Sequence, residues 1–472
     1  MLRLYDTRSR QVEGVVAPGS RVLRVYTCGP TVYRYAHVGN LRSYLLPDLI
    51  RRVLERHRVG TLLCQNITDV GHLVDDGEVD ASGEDKVVQQ ARREGRSALE
   101  IARFYEDAFR RDTAKLNMRP PEHMPRATES IDLMIEMIEG LIERGHAYVL
   151  DDGSVYFDAR SFPTYGEISG NRLDALQPAY RLEAVDSRKR FHADWALWKG
   201  SKREGFNREG SDEEMTWETP WGRGFPGWHI ECSAMSLRFL GEHIDVHTGG
   251  KDLRFPHHED ERAQSNASVG HDVVKHWVHG EHLLFDGRKM AKSTGNVVLL
   301  SDVEAAGLDP LAVRLALLEH RYRQQMNLTW DSLRAADRTV RRWRQRVAEW
   351  AEAPSRPIAR EYADRAQAAF DDDLDTPAAL RIVRELERDE SVAPGSRFET
   401  FLHLDHVLGL DLSADIGKPP VVAVLPPGAA ELLDARARAR EVKDWGASDR
   451  LRDELAALGV KVVDTPEGQT WS

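Results

Sequence analysis

Apolar residues recur in two rhythms along this chain, and the change of rhythm divides it. Val22 to Thr27 (VLRVYT) is a short β-rich run, broken by Gly29 and Pro30. Leu45, Leu49 and Val53 then recur at helical spacing, which predicts a helix over Leu41–Arg56 with Pro47 as an awkward interior residue. A second strand is expected over Thr61–Ile67. Strand, glycine-containing turn, helix and strand together predict a parallel βαβ unit.

Asp75–Lys86 reads as a polar, acidic loop, and Ser97–Lys115 and Ser130–Arg144 as helices. Ile131, Ile135, Ile138 and Ile142 form one apolar stripe on the second of these, and Thr128 is its expected cap. Tyr148–Phe157, with Asp152 and Gly153 at its centre, predicts a hairpin. The polar stretch to about Asp212 reads as an insertion between two halves of a sheet domain, with core strands resuming at Ile244–His247 and His282–Phe285.

From about Leu308 the pattern changes to long amphipathic helices. Ala336–Trp350 carries five arginines and two tryptophans, and its Arg338–Arg346 stretch reads as a solvated basic face. Thr376 before Pro377 is a helix-start signal, a capping hydroxyl ahead of proline in the first turn. Pro419-Pro420 and Pro426-Pro427 flank a linker, and a small terminal unit follows.

The length of 472 residues suggests about two to four domains. No run approaches the roughly 18 apolar residues of a membrane span. The first residues, Met1 to Arg8, lack the apolar core of a signal peptide. Three cysteines make no disulfide framework. A cytoplasmic protein is therefore expected. The net charge of −12 excludes a globally basic nucleic-acid binder but leaves room for local basic faces.

The chemistry concentrates in a few short segments. Cys28, Cys232, His257 and Glu261 are all acceptable zinc ligands, and His257 and Glu261 share one helical face at a spacing of four. His258 and His229 are alternative donors that spacing leaves open. Cys64, inside an apolar run, reads as a buried hydrophobe. His37-Val38-Gly39-Asn40 lies between a strand and a helix start. Its glycine permits close approach, and its His and Asn can donate to a phosphate at a helix N-terminus. Lys289 and Lys292, in a loop flanked by Gly287 and Gly295, are suited to hold departing phosphates.

Taken in order, these segments resemble the cysteinyl-tRNA synthetases, a family of class I aminoacyl-tRNA synthetases. His37 to Asn40 is similar to the class I HIGH signature and Lys289 to Ser293 to the KMSKS signature. YTCGPTVY (Tyr26–Tyr33), GWHIECSAM (Gly227–Met235) and GGKDLRFPHH (Gly249–His258) resemble segments of the cysteine enzymes and their close relatives. The likeness covers essentially the whole chain, including FDDDLDTP (Phe370–Pro377) and the tail.

The resemblance implies an α/β architecture. Residues 1–120 and 221–285 would be the halves of a Rossmann-like parallel-sheet catalytic domain, split by an inserted subdomain at 121–220. A stem-contact region with the lysine loop (286–330), an α-helical bundle (331–412) and a small anticodon-binding domain (425–472) would follow. It further implies one Zn2+ held by Cys28, Cys232, His257 and Glu261, which selects the thiolate of L-cysteine over a serine hydroxyl. Thr68, Trp228 and His247 would line the amino-acid pocket. ATP, bound with Mg2+, would meet His37, Gly39, Asn40 and Lys292; His37, Asn40, Lys289 and Lys292 would be the catalytic group. A cysteinyl-adenylate would form and pass its acyl group to cysteine tRNA. Arg436, Arg440 and Lys443 fall on one helical face beside Trp445, and Arg440, Trp445 and Asp449 would contact the anticodon. A monomer is the family expectation.

The chain departs from the family pattern at Ala291, which stands where the loop signature has its first serine, and at Asp69-Val70-Gly71-His72, which replaces a more acidic stretch. Two other readings share parts of the pattern. One is a cysteine ligase of mycothiol-type thiol biosynthesis, which should lack the anticodon-binding tail. The other is a non-catalytic RNA-binding paralogue, which should not need intact zinc and phosphate motifs.

Overall fold

The computed structural model describes residues 1–72, 85–176, 188–200, 215–290, 295–418, 426–465 and 468–471. It divides into two units, Met1–Ile416 and Gly417–Ser472.

In the first unit, β1 (Arg3–Asp6) and β2 (Gln11–Gly14) form an antiparallel hairpin. Then β3 (Val22–Thr27), α1 (Val38–Arg56) and β4 (Gly60–Gln65) make the expected βαβ unit, with Tyr26 opposite Cys64 in parallel register. Helix α1 begins ahead of its apolar pattern because His37 caps it, and Pro47 sits inside without ending it.

Helices α2 (Lys86–Glu94), α3 (Ala98–Lys115) and α4 (Ile131–Glu143) follow. Ser97 and Glu100 form a reciprocal capping box on α3. Thr128 does not cap α4. Its hydroxyl donates to Asp69 Oδ2 at 2.6 Å, and Ser130 takes the cap position without a side-chain bond.

The insertion folds as an antiparallel sheet of β5 (Ala147–Val149), β6 (Val155–Phe157), β7 (Trp195–Gly200) and β8 (Gly224–Pro226). The chain returns through α5 (Trp228–Leu240), β9 (Ile244–Gly250), α6 (His257–Val269) and β10 (Val274–Gly280). Strands β10, β9, β3 and β4 lie side by side in that order, all parallel.

The last core strand is thus β10, not the expected His282–Phe285. That segment supplies β11 (Leu283–Phe285) of a separate sheet with β12 (Arg288–Lys289) and β13 (Met326–Leu328). The sequence of β10, VKHWVHG, hides it: His276 and His279 are buried despite their polarity.

Between these sheets and the bundle lie α7 (Leu300–Ala305) and α8 (Leu311–Leu318). The bundle comprises α9 (Trp330–Ala351), α10 (Arg360–Asp371), α11 (Thr376–Arg388) and α12 (Pro394–Leu408). Leu333, Val340, Trp343, Val347 and Trp350 form the buried stripe of α9. Its arginines make ion pairs, among them Arg342 with Glu387 at 2.8 Å. The cap of α11 is Asp375, which accepts from the Ala378 amide. Thr376 is already helical, and its hydroxyl donates to the Leu318 carbonyl at 2.7 Å.

One buried carboxylate ties the sheet to the bundle. Asp48 on α1 accepts from Arg52 at 2.9 Å and from Arg314 of α8 at 2.8 Å. Arg314, fully buried, also donates to the carbonyls of Leu408 and Leu116. Desolvation works against the charge on Asp48, but the two guanidiniums outweigh it and hold the carboxyl below its usual range.

The second unit packs α13 (Ala429–Glu441), α14 (Trp445–Ala457) and the hairpin of β14 (Val462–Thr465) and β15 (Gly468–Trp471) around Ala429, Leu433, Leu455 and Val460. No described helix is long and apolar enough to cross a membrane.

Candidate active site and metal centre

The parallel strands β3 and β9 end at a cluster of metal-binding side chains. Cys28 follows β3, Cys232 lies on α5, and His257 and Glu261 lie one turn apart on α6. Their donor atoms all fall within 4.8 Å of one another, and all four residues are buried. A second grouping shares Cys28 and Glu261 but takes His247 and His258 as its imidazoles. His229, the other alternative, is in neither; its Nδ1 pairs with Asp260 at 2.7 Å.

Cys28 Sγ is 3.2 Å from Glu261 Oε1, 3.3 Å from His258 Nε2 and 3.5 Å from His247 Nε2. Donors bound to one tetrahedral zinc would lie about 3.3–3.8 Å apart, given Zn–S and Zn–N bonds of about 2.3 and 2.0 Å. The Cys28 contacts with His258 and His247, from the second grouping, fall in that range, and its contact with Glu261 lies just below it. The protons argue the same way. Burial raises the Cys28 thiol. Burial pushes Cys232 the same way, but hydrogen bonds with Cys28 and His257 outweigh it and hold that thiol below its usual value. Burial opposes a charge on His257, but the neighbouring Glu261 and Cys232 lift it to about 10. His257 Nε2 lies 3.0 Å from Glu261 Oε1, so the imidazole and carboxylate sit side by side in the cluster. A soft divalent cation would satisfy both the charge and the donors.

The surroundings of α6 hold this cluster in place. Glu259 accepts from the amides of Ile168 and Ser169, and Tyr165 donates to Asp260 at 2.5 Å. Gln264 donates to Ser233 Oγ at 2.7 Å. Behind His258, Nδ1 meets His279 Nε2 at 2.8 Å, and His279 Nδ1 meets Thr7 Oγ1 at 2.7 Å.

Cys28 also forms part of the wall of a cleft of about 370 Å³, together with His37, Gly39, Asn40, Trp228 and Lys289. His37 and Asn40 cap α1 reciprocally: the Asn40 amide donates to His37 Nδ1, and the His37 amide donates to Asn40 Oδ1, both at 3.2 Å. Nδ1 is therefore an acceptor, which leaves the ring proton on Nε2. Burial, aided by Arg34, pushes the His37 pKa down to about 4, so the ring is a neutral donor at pH 7. A Cβ at Gly39 would sit 2.7 Å from Met290 Cε and 3.0 Å from His37 Nδ1, so a side chain there would displace the end of Met290 and crowd the His37 ring. The Val38 amide donates to the Val298 carbonyl at 3.0 Å, which fixes the chain after the lysine loop beside His37. Lys289 is exposed on β12; Lys292 and Ala291 lie outside the described residues.

Of the residues expected in the amino-acid pocket, Trp228 stands in the cleft wall. Thr68 is buried behind it and donates to Glu231 Oε2 at 2.9 Å, and His247 is buried among the metal donors. The sequence reading did not place His72. Its ring stacks on Trp228 at 4.0 Å and 7°, with Nδ1 2.5 Å from Thr31 Oγ1 and Nε2 against Lys86 Nζ. Its signal was the departure at Asp69–His72.

In the second unit, Arg436 is buried and bonded to Asp464 and Gln469, so it does not share an exposed face with Arg440. Lys443 lies beyond the end of α13. Arg440 pairs with Asp464 at 2.9 Å and faces the exposed ring of Trp445, its guanidinium 5.7 Å from the ring centroid. Asp449 is exposed and paired with Arg452 at 2.8 Å.

Folds of this kind occur in solved structures of tRNA synthetases. A Mycobacterium tuberculosis methionyl-tRNA synthetase bound by methionyl-adenylate superposes with a TM-score of 0.54 at 16% identity, covering 90% of this chain and 96% of that one. The LeuRS–tRNA–LeuAMS complex of Agrobacterium radiobacter K84 gives 0.58 at 12% identity, covering 84% of each. Residues 15–338 match the tRNA synthetases class I (C) catalytic domain, which makes the chain an enzyme of the class I tRNA synthetases. Residues 423–471 match the Cysteinyl-tRNA ligase anticodon binding domain. Cysteine--tRNA ligase 1 of Burkholderia lata is 42% identical, over 99% of this chain and 96% of its own length. The ligases of Salinibacter ruber and Thermus thermophilus are each 39% identical, over 99% and 100% of this chain and 98% and 99% of their own lengths. The chain belongs to the cysteine--tRNA ligase family.

Proposed function

We propose that this enzyme joins L-cysteine to cysteine tRNA in two steps. A cysteine carboxylate oxygen attacks the α-phosphorus of magnesium-bound ATP, giving cysteinyl-adenylate and pyrophosphate. A terminal ribose hydroxyl of the tRNA then attacks the acyl carbon and releases AMP. The observation that carries the reading is the buried set of two thiols, imidazole and carboxylate, one of which, Cys28, lines the same cleft as the capped start of α1.

Cys28, Cys232, His257 and Glu261 would hold one zinc ion. Bound there, zinc supplies a soft Lewis acid that prefers a thiolate to a serine hydroxyl. A pocket working by size alone would discriminate poorly between side chains so alike.

The remaining work belongs to the chain's own groups. His37 Nε2–H and the Asn40 side-chain Nδ2–H donate as charge builds on the α-phosphate, with the partial positive charge of the α1 N-terminus behind them. Lys289 and Lys292 hold the departing pyrophosphate. Trp228 walls the amino-acid pocket, with Thr68 and His247 behind it. Arg440, Trp445 and Asp449 contact the anticodon. The same reading makes the protein a cytoplasmic monomer.

The test is charging of transcribed cysteine tRNA with labelled cysteine, with serine in parallel. Charging with cysteine alone is expected. Cysteine-dependent ATP–pyrophosphate exchange without charging would move the reading to a ligase with another acceptor. Failure of both in zinc-loaded protein would end the catalytic reading.

A further inference from the structure

At the mouth of the cleft three aromatic rings meet edge to face. Tyr35 lies 5.2 Å from Tyr105 at 85° and 6.1 Å from Phe104 at 70°; Phe104 and Tyr105 are 5.1 Å apart at 86°. Tyr105 is the anchor: it is buried, and its hydroxyl donates to Glu94 Oε1 at 2.7 Å. The other two rings face solvent, Tyr35 being 42% and Phe104 38% exposed. Arg96 borders Phe104, its guanidinium 5.1 Å from the ring centroid; Arg34, next to Tyr35 in the chain, lies over Tyr33 at 5.0 Å and lines the same cleft. Arg96 also lies 3.8 Å from Glu94.

Aromatic faces bordered by guanidiniums suit one class of ligand above others. Unpaired nucleotides stack their bases on such rings and bring phosphates to the arginines, without sequence preference. A protein partner would call for a broader aliphatic patch, and Leu99 is the exposed aliphatic residue in this stretch of α3. The surface is continuous with the cleft, because Arg34, Tyr35 and Tyr105 help to line the cavity that contains Cys28 and His37. An acceptor ribose reaching that cavity from this side would bring its unpaired base against these rings.

We propose that Tyr35 and Phe104 form a stacking ledge for the single-stranded 3′ end of the tRNA, with Arg34 and Arg96 on its phosphates. This rests on the charging reading above. The ledge holds the terminal base while its ribose reaches the activated carbonyl. Tyr105 sets the angle of both rings from below.

The experiment uses the full-length, zinc-loaded enzyme with Tyr35→Ala, Phe104→Ala and the conservative Tyr35→Phe. Two readouts are taken: charging kinetics, and fluorescence of a tRNA transcript carrying 2-aminopurine as its 3′-terminal base. Each alanine variant should raise the KM for tRNA or lower kcat in charging about tenfold, the scale of one lost base stack. Each should also weaken the quenching of 2-aminopurine. Tyr35→Phe should behave as the parent. Cysteine-dependent pyrophosphate exchange reports the first step and the fold separately, and should stay within about twofold, as the lost contact is a base stack of the second step. Unchanged charging and quenching would overturn the proposal. A raised KM for ATP in exchange would also overturn it, by assigning the rings to the adenine of ATP. If the parent enzyme charges no tRNA, it is the charging reading that has failed.

Discussion

Gly29 offers a sharp test of how the metal donors are positioned. A Cβ at this residue would lie 1.5 Å from the Asn66 carbonyl oxygen and 2.6 Å from its carbon, both backbone atoms at the end of β4. An ordinary carbon–oxygen contact is about 3.3 Å, so Gly29→Ala must part the two chains by about 1.8 Å. The movement falls on both thiols. Cys28 is the adjoining residue, and Cys232 Sγ lies 3.6 Å from Asn66 Oδ1, the same atom that accepts from the Gly29 amide at 2.8 Å. A metal ligand must sit within about 0.2 Å of its bonding distance, so the shift exceeds the tolerance several-fold. Overpacking adds about 1–3 kcal/mol of destabilisation, and the lost Gly29–Asn66 hydrogen bond about 1 kcal/mol more. The assay is titration with cobalt in place of zinc, following the thiolate charge-transfer band, alongside urea unfolding. Gly29→Ala should lose the band or bind at least about 100-fold more weakly, the upper range seen when supporting contacts of a metal site are removed. Gly14→Ala is the control, since a Cβ there meets nothing within 4 Å. A full-strength band and parental affinity in Gly29→Ala would refute the reasoning.

Other expectations follow from single contacts. Asp48→Ala leaves Arg52 and Arg314 buried without their carboxylate and should cost about 3–5 kcal/mol in urea unfolding; a loss below about 1 kcal/mol would contradict the role given to that pair. His37 should titrate by NMR near pH 4, not 6.5. With its folded pKa depressed, the stability that the neutral ring supplies is complete above pH 6.5 and declines as the pH falls from there toward 4. Trp445→Ala should raise the KM for tRNA in charging about tenfold while leaving pyrophosphate exchange intact, whereas an unchanged KM would count against stacking by this ring.

The β3–α1–β4 unit could be read from sequence because its apolar residues repeat as strands and helices should. The donor residues stood out by side-chain chemistry, without any geometry. What sequence could not give was the choice of imidazole. His247, His257 and His258 all reach the cluster, and which nitrogen faces the sulfurs depends on how α6 is seated. That helix escaped the hydrophobic pattern, since His257 to Asn266 are buried although nearly all are polar or charged. Their burial is tolerable only through partners such as Tyr165, Ile168 and Ser169, roughly 90 positions earlier. Strand β10 was missed for the same reason. In the tail, a helical face drawn through Arg436 could not anticipate Asp464 beyond it, which draws that arginine inward.

The wide spacing of the metal donors bears on how the protein is made. Glu261 follows Cys28 by 233 residues, with the whole insertion between them. At about 5–20 residues per second, a ribosome takes roughly 12–47 s to deliver the last donor after the first. For most of that interval Cys28 is on a growing chain without Cys232, its partner thiol, open to oxidation or to capture by another metal. The donor set can come together only after the insertion has emerged and α5 and α6 have docked, so a metal held there would be loaded late in biosynthesis. In the folded protein all three cysteines are buried, so the thiols are most open to oxidation before folding closes over them.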